Sequence, residues 1–520
     1  MMKFFSYVLV LALGIGFCHA QNVLDIGSRR ELFVDDYLIG ELSGATLKLH
    51  EPVKREIVLV HDEPWEGSGS GYHSVFKDGN LYRMYYKAWQ HDASSDLANY
   101  HPLYCAYAES KDGIHWYKPH LGLHEFKGST DNNIVFASEE VGGLEVDAGH
   151  PAVFKDENPN VPVDERYKAF LVQWKKPNAG LVAFKSPDGI HWSLMASDPV
   201  IKDGAFDSQN LAFWDPTINK YRAYWRYFNK LDSGNVSDVV SKSKTMQEFG
   251  GFRAIRTAVS DDFVHWENQT NVTYADSPPE ELYTNQIKPY HRAPHILMGF
   301  PARYVDRGWS TSMRALPELE EREKRAKKSQ RYGTAITETL LMTSRDGQLF
   351  KRWNEAFLRP GIERPGTWTY GDSYAAWHVV ETKSEDAGAP NELSFYVTET
   401  YWKGHASSVR RYTLRLDGFV SVNASAAGGE LLTKPFTFEG DELTLNFSTS
   451  AMGDIYVELT DEKGDPLPGF SMDDCEPIFG DAVERVVYWK NGSDVSALAG
   501  KPVRIRFKMH DADLYALKFQ

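Results

Sequence analysis

One short phrase returns four times along this 520-residue chain, and it limits the fold more than any other feature. The copies are Ser110-Lys-Asp112-Gly113-Ile-His-Trp116, Ser186-Pro-Asp188-Gly189-Ile-His-Trp192, Ser260-Asp-Asp262-Phe-Val-His-Trp266 and Ser344-Arg-Asp346-Gly347-Gln-Leu-Phe350. Their serines lie 76, 74 and 84 residues apart (110→186→260→344). A repeat on that scale means that one supersecondary unit is used several times. Ser and Asp side chains fold back onto nearby backbone N–H groups, and Gly accepts a positive φ. The closing aromatic then fills the gap between neighbouring sheets. These aspartates therefore read as turn staples and not as catalysts.

A second element phases the first. Phe76-Lys-Asp78-Gly79-Asn-Leu-Tyr82-Arg-Met-Tyr85-Tyr86 has the pattern of a hairpin: an apolar strand end, a turn, then alternating aromatics. Phe154 to Phe170 and Phe213 to Trp225 repeat it. Each hairpin precedes a Ser-x-Asp turn, giving short antiparallel strands in units, which is the pattern of propeller blades. Tyr370 to Phe419 has the strand spacing of a fifth blade without a clear staple. The charge run Glu318 to Lys328 reads as a solvated loop or short helix inserted in blade four. The expected fold is all-β: a five-bladed β-propeller over 21–422, followed by a C-terminal β-sandwich over 423–520.

Charge and targeting signals narrow the function. The net charge of −15 argues against a nucleic-acid partner, which needs a basic face. Lys3, the apolar run Phe4 to Phe17, and Cys18-His-Ala20 before Gln21 describe a signal peptide over 1–20. The expected location is thus secreted or periplasmic, with a lipid anchor on Cys18 the weaker alternative and no membrane span. Cys105 and Cys475 then remain, too few for a zinc cluster and expected as buried small hydrophobes.

Inner strands of a propeller converge on its axis, so polar residues just before each inner strand are the site candidates. They are Glu66, Tyr72 and His73 in blade one, Asp147 and His150 in blade two, and Asp207, Gln209 and Asn210 in blade three. Blade four offers Glu281, Asn285 and Gln286, and blade five Asp372 and Tyr374. Glycoside hydrolysis needs a carboxylic acid and a second carboxylate as nucleophile or base. Asp147, Asp207 and Glu281 are the catalytic candidates: Asp147 or Asp207 as nucleophile or base, the other as stabiliser, and Glu281 as general acid. Glu66, His73, His150, Gln209, Asn210, Asn285, Arg292, Arg303, Asp372 and His378 are substrate-binding candidates. The histidines lack metal-ligand spacing, so no metal or other cofactor is expected. Aromatics at 13% of the chain provide rings on which sugars can stack.

Leu32-Phe-Val-Asp35-Asp36-Tyr, Phe206-Asp207-Ser-Gln-Asn210, Arg292-Ala-Pro-His295 and Arg410-Arg-Tyr to Phe419 are phrases by which the chain resembles a known group. It resembles five-bladed propeller glycoside hydrolases of the family 32 and family 43 type, in particular secreted bacterial proteins with a family 32 N-terminal-like domain. The resemblance implies acids at the start of blades one, two and three, but blade one has no Trp-x-Asn-Asp-Pro phrase, leaving Asp35, Asp36 or Glu66 to serve. It implies a hydrolase of a poly- or oligosaccharide, an acidic one among the candidates, with carbohydrate as partner. Two alternatives stand beside it. One is a non-catalytic carbohydrate-binding or scaffold propeller. The other is a sialidase-like hydrolase in which Arg292 or Arg303 meets the substrate carboxylate.

Overall fold

The computed structural model describes residues 23–90, 101–404 and 406–520; the signal-peptide reading of 1–20 lies outside them. The chain divides into two compact units. The larger holds Leu32–Asp35 and Leu47–Ser421. The smaller holds Asp36–Thr46, Val422–Gln520 and the described residues up to Glu31.

The larger unit is a five-bladed β-propeller. Blade I pairs Gly71–Asp78, Leu81–Ala88, Tyr104–Ser110 and Ile134–Ala137. Blade II is built on Leu144–Lys155, Tyr167–Gln173, Gly180–Ser186 and Ser193–Leu194. Blade III follows with Leu211–Asp215, Lys220–Asn229, Phe252–Ser260 and Glu267–Asn271. Blade IV uses Lys288–Tyr290, Ala293–Gly299, Met342–Ser344 and Leu349–Arg352, with an extra hairpin, Ala302–Asp306 and Ala335–Thr339. Blade V has Val380–Thr382, Glu392–Glu399 and Ser408–Arg415, and its outer strand is Val53–Val60 from the start of the unit. That strand pairs antiparallel from Ser408↔Val60 to Thr413↔Val53, so the two ends of the unit meet in one sheet and close the ring.

The repeated turn behaves as its chemistry dictates. Ser110 Oγ accepts the N–H of Gly113 at 2.9 Å, and Asp112 Oδ1 accepts those of Ile114 and His115 at 2.8 Å. The same bonds recur at Ser186/Asp188, Ser260/Asp262 and Ser344/Asp346. The turn also ties each blade to its neighbour. The carbonyls of Gly113, Gly189 and Gly347 accept phenol O–H groups from Tyr396, Tyr85 and Tyr224 of the preceding blades at 2.6–2.9 Å. In the third copy Phe263 occupies the positive-φ position at +69°, and its partner is Phe170, stacked at 4.9 Å. A tyrosine–carbonyl hydrogen bond is thus exchanged for a ring contact. Blade V lacks the serine, yet Asp417 at its turn accepts Tyr290 Oη at 2.7 Å and Arg292 Nε at 2.8 Å from blade IV.

Two glutamines cross-link the axis. Gln209 Nε2 donates to the carbonyls of Tyr72 (2.9 Å) and Pro151 (3.0 Å) and to Ser74 Oγ (3.1 Å). Its Oε1 accepts Gln286 Nε2 at 2.7 Å, and Gln286 Nε2 also donates to the Ala375 carbonyl at 2.9 Å. Blades I, II, III, IV and V are therefore joined through two buried side chains. A buried carbonyl without a donor is costly, so the pair is held by the groups it satisfies.

The charge run folds as the helix Leu319–Lys328, and it is only partly solvated. Arg322 and Arg325 are buried and donate to the carbonyls of Trp368 (2.7 Å) and Trp402 (2.5 Å). The insertion thus pins an aromatic loop of blade V.

The smaller unit is built on two long antiparallel strands, Leu443–Thr460 and Arg504–Phe519, shifted in register between Thr449 and Asp454. Leu443, Leu445, Phe447, Ile455, Val457 and Leu459 are buried apolar residues at every second position, the period-2 alternation of a strand. The N-terminal segment joins it: Ile39–Ser43 pairs Gly429–Thr433, and Leu24–Gly27 runs parallel to Phe436–Phe438. This pairing is compatible with a sandwich. Cys475 here and Cys105 in the propeller are buried free thiols.

Replacing Gln209 by Leu removes the donor for three acceptors and one of the two acceptors of the Gln286 amide, so a loss of about 2–4 kcal/mol in denaturant unfolding is expected. Unchanged stability would show that the axis does not depend on this amide.

Candidate functional site

The inner strand of blade II, Leu144–Lys155, loses its regular register between Asp147 and Ala152. That irregularity brings Asp147 and His150 together, and Gly149 N–H donates back to Asp147 Oδ1 at 2.6 Å. In blade III, Asn210 Nδ2 donates to the carbonyls of Phe206 and Ser208, and Ser208 Oγ donates to the Tyr283 carbonyl at 2.6 Å. The turn so tied presents Asp207 outward, with 58% of its side chain exposed.

These elements form one chain of contacts. His150 Nδ1 lies 3.3 Å from Asp147 Oδ1, and His150 Nε2 lies 3.1 Å from Asp207 Oδ1. Tyr283 Oη donates to Asp207 Oδ2 at 3.4 Å, and Trp174 Nε1 donates to Asp147 Oδ2 at 2.6 Å. Burial alone would discharge His150, but the two flanking carboxylates outweigh it and lift its pKa to about 9. Burial likewise pushes Asp207 and Asp147 upward. For Asp207 the hydrogen bond from His150 and the charge of Arg226 prevail, and its carboxyl is held below the usual carboxylate range. Asp147 is lowered by His150, Trp174 and the Gly149 N–H. At neutral pH the trio is carboxylate, imidazolium, carboxylate.

Aromatic rings wall the funnel around this trio. Tyr72, Tyr283, Tyr304, Tyr370, Tyr374, Tyr401 and Trp402 form one buried cluster. Tyr72 leans on His150 with ring centres 5.6 Å apart. On its other flank Lys87 donates to Tyr401 Oη at 2.8 Å and sits 4.7 Å over the Tyr72 ring. Burial drives Lys87 down to about 8 despite the pull of Asp207 and Asp147. Trp174, 43% exposed, stands edge-on to His150 at 5.5 Å. Trp174, Asp207 and the stacked pair Phe228–Phe249 line a cavity of about 580 Å³.

The sequence-derived candidates fall into three groups. Asp147, His150 and Asp207 come together as described. Gln209, Asn210 and Asn285 are structural: Gln209 in the axis, Asn210 in the Asp207 turn, and Asn285 Oδ1 accepting the Ile287 N–H at 3.3 Å. The remaining residues have other partners. Glu281 is buried in an ion pair with Arg253, and its Oε1 has no hydrogen-bond partner among the described residues. It lines a separate cavity with Arg303 and Glu338 and is not among the residues lining the one that holds Asp207. Arg292 is consumed by Asp417, and Arg303 by Glu338 (2.6 Å) and Glu280 (3.1 Å). Neither is placed to read a substrate. Glu66 is buried against Tyr86 and Lys118, and burial raises its pKa. His73 faces His61 at 3.1 Å between ring nitrogens and is driven down to about 3 by burial. Asp372 is buried, accepts the Tyr401 N–H at 2.8 Å, and is pushed up to about 7. His378 lines a different cavity of about 460 Å³, beside Phe76, Lys288 and Glu381. Among the described residues no cluster of three or more His, Cys, Asp or Glu is placed to hold a metal ion, and no helix is long and apolar enough to cross a membrane.

Sequence reasoning missed Trp174, Tyr283, Lys87 and Arg331. Tyr283 carried the one usable signal: it lies two residues beyond Glu281 on the same segment.

No protein-family model matches this chain, and no curated protein does. Among solved structures it is similar to a family 43 arabinoxylan arabinofuranohydrolase from Bacillus subtilis in complex with cellotetraose, at 12% identity and a TM-score of 0.41, covering 88% of this chain and 96% of that one. It is also similar to an N-acetylgalactosamine deacetylase from F. plautii in complex with blood group B trisaccharide (10%, 0.43, 72% and 96%). A third is an endo-arabinase from Bacteroides thetaiotaomicron (10%, 0.34, 71% and 97%). With identities this low, the chemistry has to be read from the site itself.

Asp147→Asn is expected to lower the His150 titration from about 9 toward the ordinary 6.5, followed by NMR of its ring protons. Because the folded value is raised, His150 stabilises the fold fully below 6.5, and that contribution is lost as pH rises through about 9. A titration unmoved by the substitution would show that Asp147 does not hold the imidazolium.

Proposed function

We propose that this chain is a glycoside hydrolase whose site is the funnel around Asp207, lined by Trp174, Phe206, Phe228 and Phe249. The observation that carries this is a single exposed, ionised carboxylate held between a protonated histidine and a tyrosine, at the mouth of an aromatic cavity. A sugar ring placed against Trp174 or Phe249 would stack its C–H face on an indole or phenyl surface. Its anomeric carbon would then lie near Asp207.

In this reading Asp207 acts at the anomeric centre as nucleophile or base. His150, protonated up to about 9, turns both ring nitrogens to carboxylates, Nδ1 to Asp147 and Nε2 to Asp207, so its role is to hold Asp207 ionised and aimed rather than to protonate the leaving oxygen. Asp147 is a positioning residue: it fixes the imidazole and does not face the sugar. Glu281 serves Arg253. Export to the periplasm or the cell exterior follows from the Lys3 to Ala20 segment. A non-catalytic sugar-binding propeller would use the same rings without needing the charged trio.

Asp207→Asn and His150→Asn should each lower kcat on a hydrolysed oligosaccharide by about 10²–10⁴-fold while binding persists. Wild-type activity should fall as pH rises through about 9, where His150 loses its proton. A wild-type protein that binds glycans and cleaves none would support the scaffold reading and contradict this one.

A further inference from the structure

The funnel cavity carries a charge that does not fit the protein as a whole. The chain has a net charge of −15, yet this cavity is lined by Lys176, Lys202, Arg226, Arg253 and Arg331 against only Asp207 and Glu248. An excess of cations in a recess focuses a positive field whatever the net charge outside.

The three arginines gather on Tyr283 and its neighbours. Arg226 lies 4.6 Å and Arg253 4.9 Å over the Tyr283 ring, and Arg331 packs on Tyr332 (4.6 Å) and Tyr370 (5.5 Å). Acidic neighbours satisfy them only in part. Arg253 holds Glu281, and Arg226 reaches Asp207 at 3.8 Å. Arg331 donates to Tyr332 Oη at 3.4 Å and is also hydrogen-bonded to Tyr304, with no acidic partner among the described residues. Arg226 Nη1, Arg253 Nε and Arg331 Nη1 are buried without a hydrogen-bond acceptor among the described residues. Arg226 and Arg253 are themselves more than nine-tenths buried. Buried guanidinium N–H groups left open are expensive unless something completes them.

Accepting the funnel as a sugar site, we infer that Arg226, Arg253 and Arg331 form a subsite for the carboxylate of an acidic sugar. A planar carboxylate offers two oxygens that match guanidinium forks, which a neutral hydroxyl cannot do. Lys176 and Lys202 at the rim add long-range attraction for a charged chain. This pocket is distinct from Arg292 and Arg303, whose charges are already spent on Asp417, Glu338 and Glu280.

The test is binding of the full chain to three sets of oligosaccharides: neutral, uronic-acid-containing and sulfated. Arg331→Met and Arg331→Lys are the variants, since Arg331 has no acidic partner among the described residues, and thermal unfolding checks that they fold. Uronate-containing members should bind the wild type best. Arg331→Met should weaken them by about ten- to a hundred-fold, Arg331→Lys by less, and leave neutral members unchanged. Preference for neutral or sulfated members, no binding of uronates, or equal losses on all three sets would overturn the inference. Binding and hydrolysis of uronate-containing glycans by Arg331→Met at wild-type levels would overturn the subsite and leave the hydrolase standing. Arg331-dependent uronate binding without cleavage of any glycan would do the reverse.

Discussion

The axial amide pair is the constraint on which the rest of the propeller depends. Each blade is hydrogen-bonded within its own sheet, but the ring exists only if five inner strands agree on one centre. Gln209 and Gln286 enforce that agreement by satisfying groups from all five blades. Gln209 donates and accepts at the axis, so it cannot be shortened or made apolar without stranding its partners. The functional turn follows from this placement. Gln209 is two residues from Asp207, so fixing the glutamine in the axis fixes where the aspartate emerges.

Electrostatics at the funnel continue the same logic. Asp207 stays ionised because His150, Arg226 and Tyr283 face it, and His150 stays protonated because two carboxylates face it. Lys87 sits behind Tyr72 and Tyr401, where burial has already brought its pKa down to about 8. The result is a pre-set arrangement of charges around one exposed oxygen pair, which needs no rearrangement when a sugar arrives.

What could be read in the sequence was what local chemistry encodes. The Ser-x-Asp turns announced themselves because their hydrogen bonds close within five residues, and they set the blade count and the phase of the inner strands. Asp147, His150 and Asp207 followed from that phase. Partners distant in sequence were not legible. The outer strand of blade V, Val53–Val60, lies about 350 residues from its partner, and nothing local marks it as the closing strand. Arg292 stood as a substrate-binding candidate because Asp417 is 125 residues away, and Glu281 as a catalytic one because its partner Arg253 is 28 residues away. The helix Leu319–Lys328 looked solvated because the carbonyls that hold Arg322 and Arg325 belong to the loop of Trp368 and Trp402.

The central claim is that a sugar is held in the funnel with its anomeric carbon against residue 207. The most direct measurement is a crystal structure of Asp207→Asn with a bound oligosaccharide. The account predicts a ring stacked on Trp174 or Phe249 and an anomeric carbon about 3–3.5 Å from the residue 207 side chain. A sugar seated instead in the cavity beside His378 and Phe76, or in the funnel with its glycosidic bond turned away from residue 207, would contradict it.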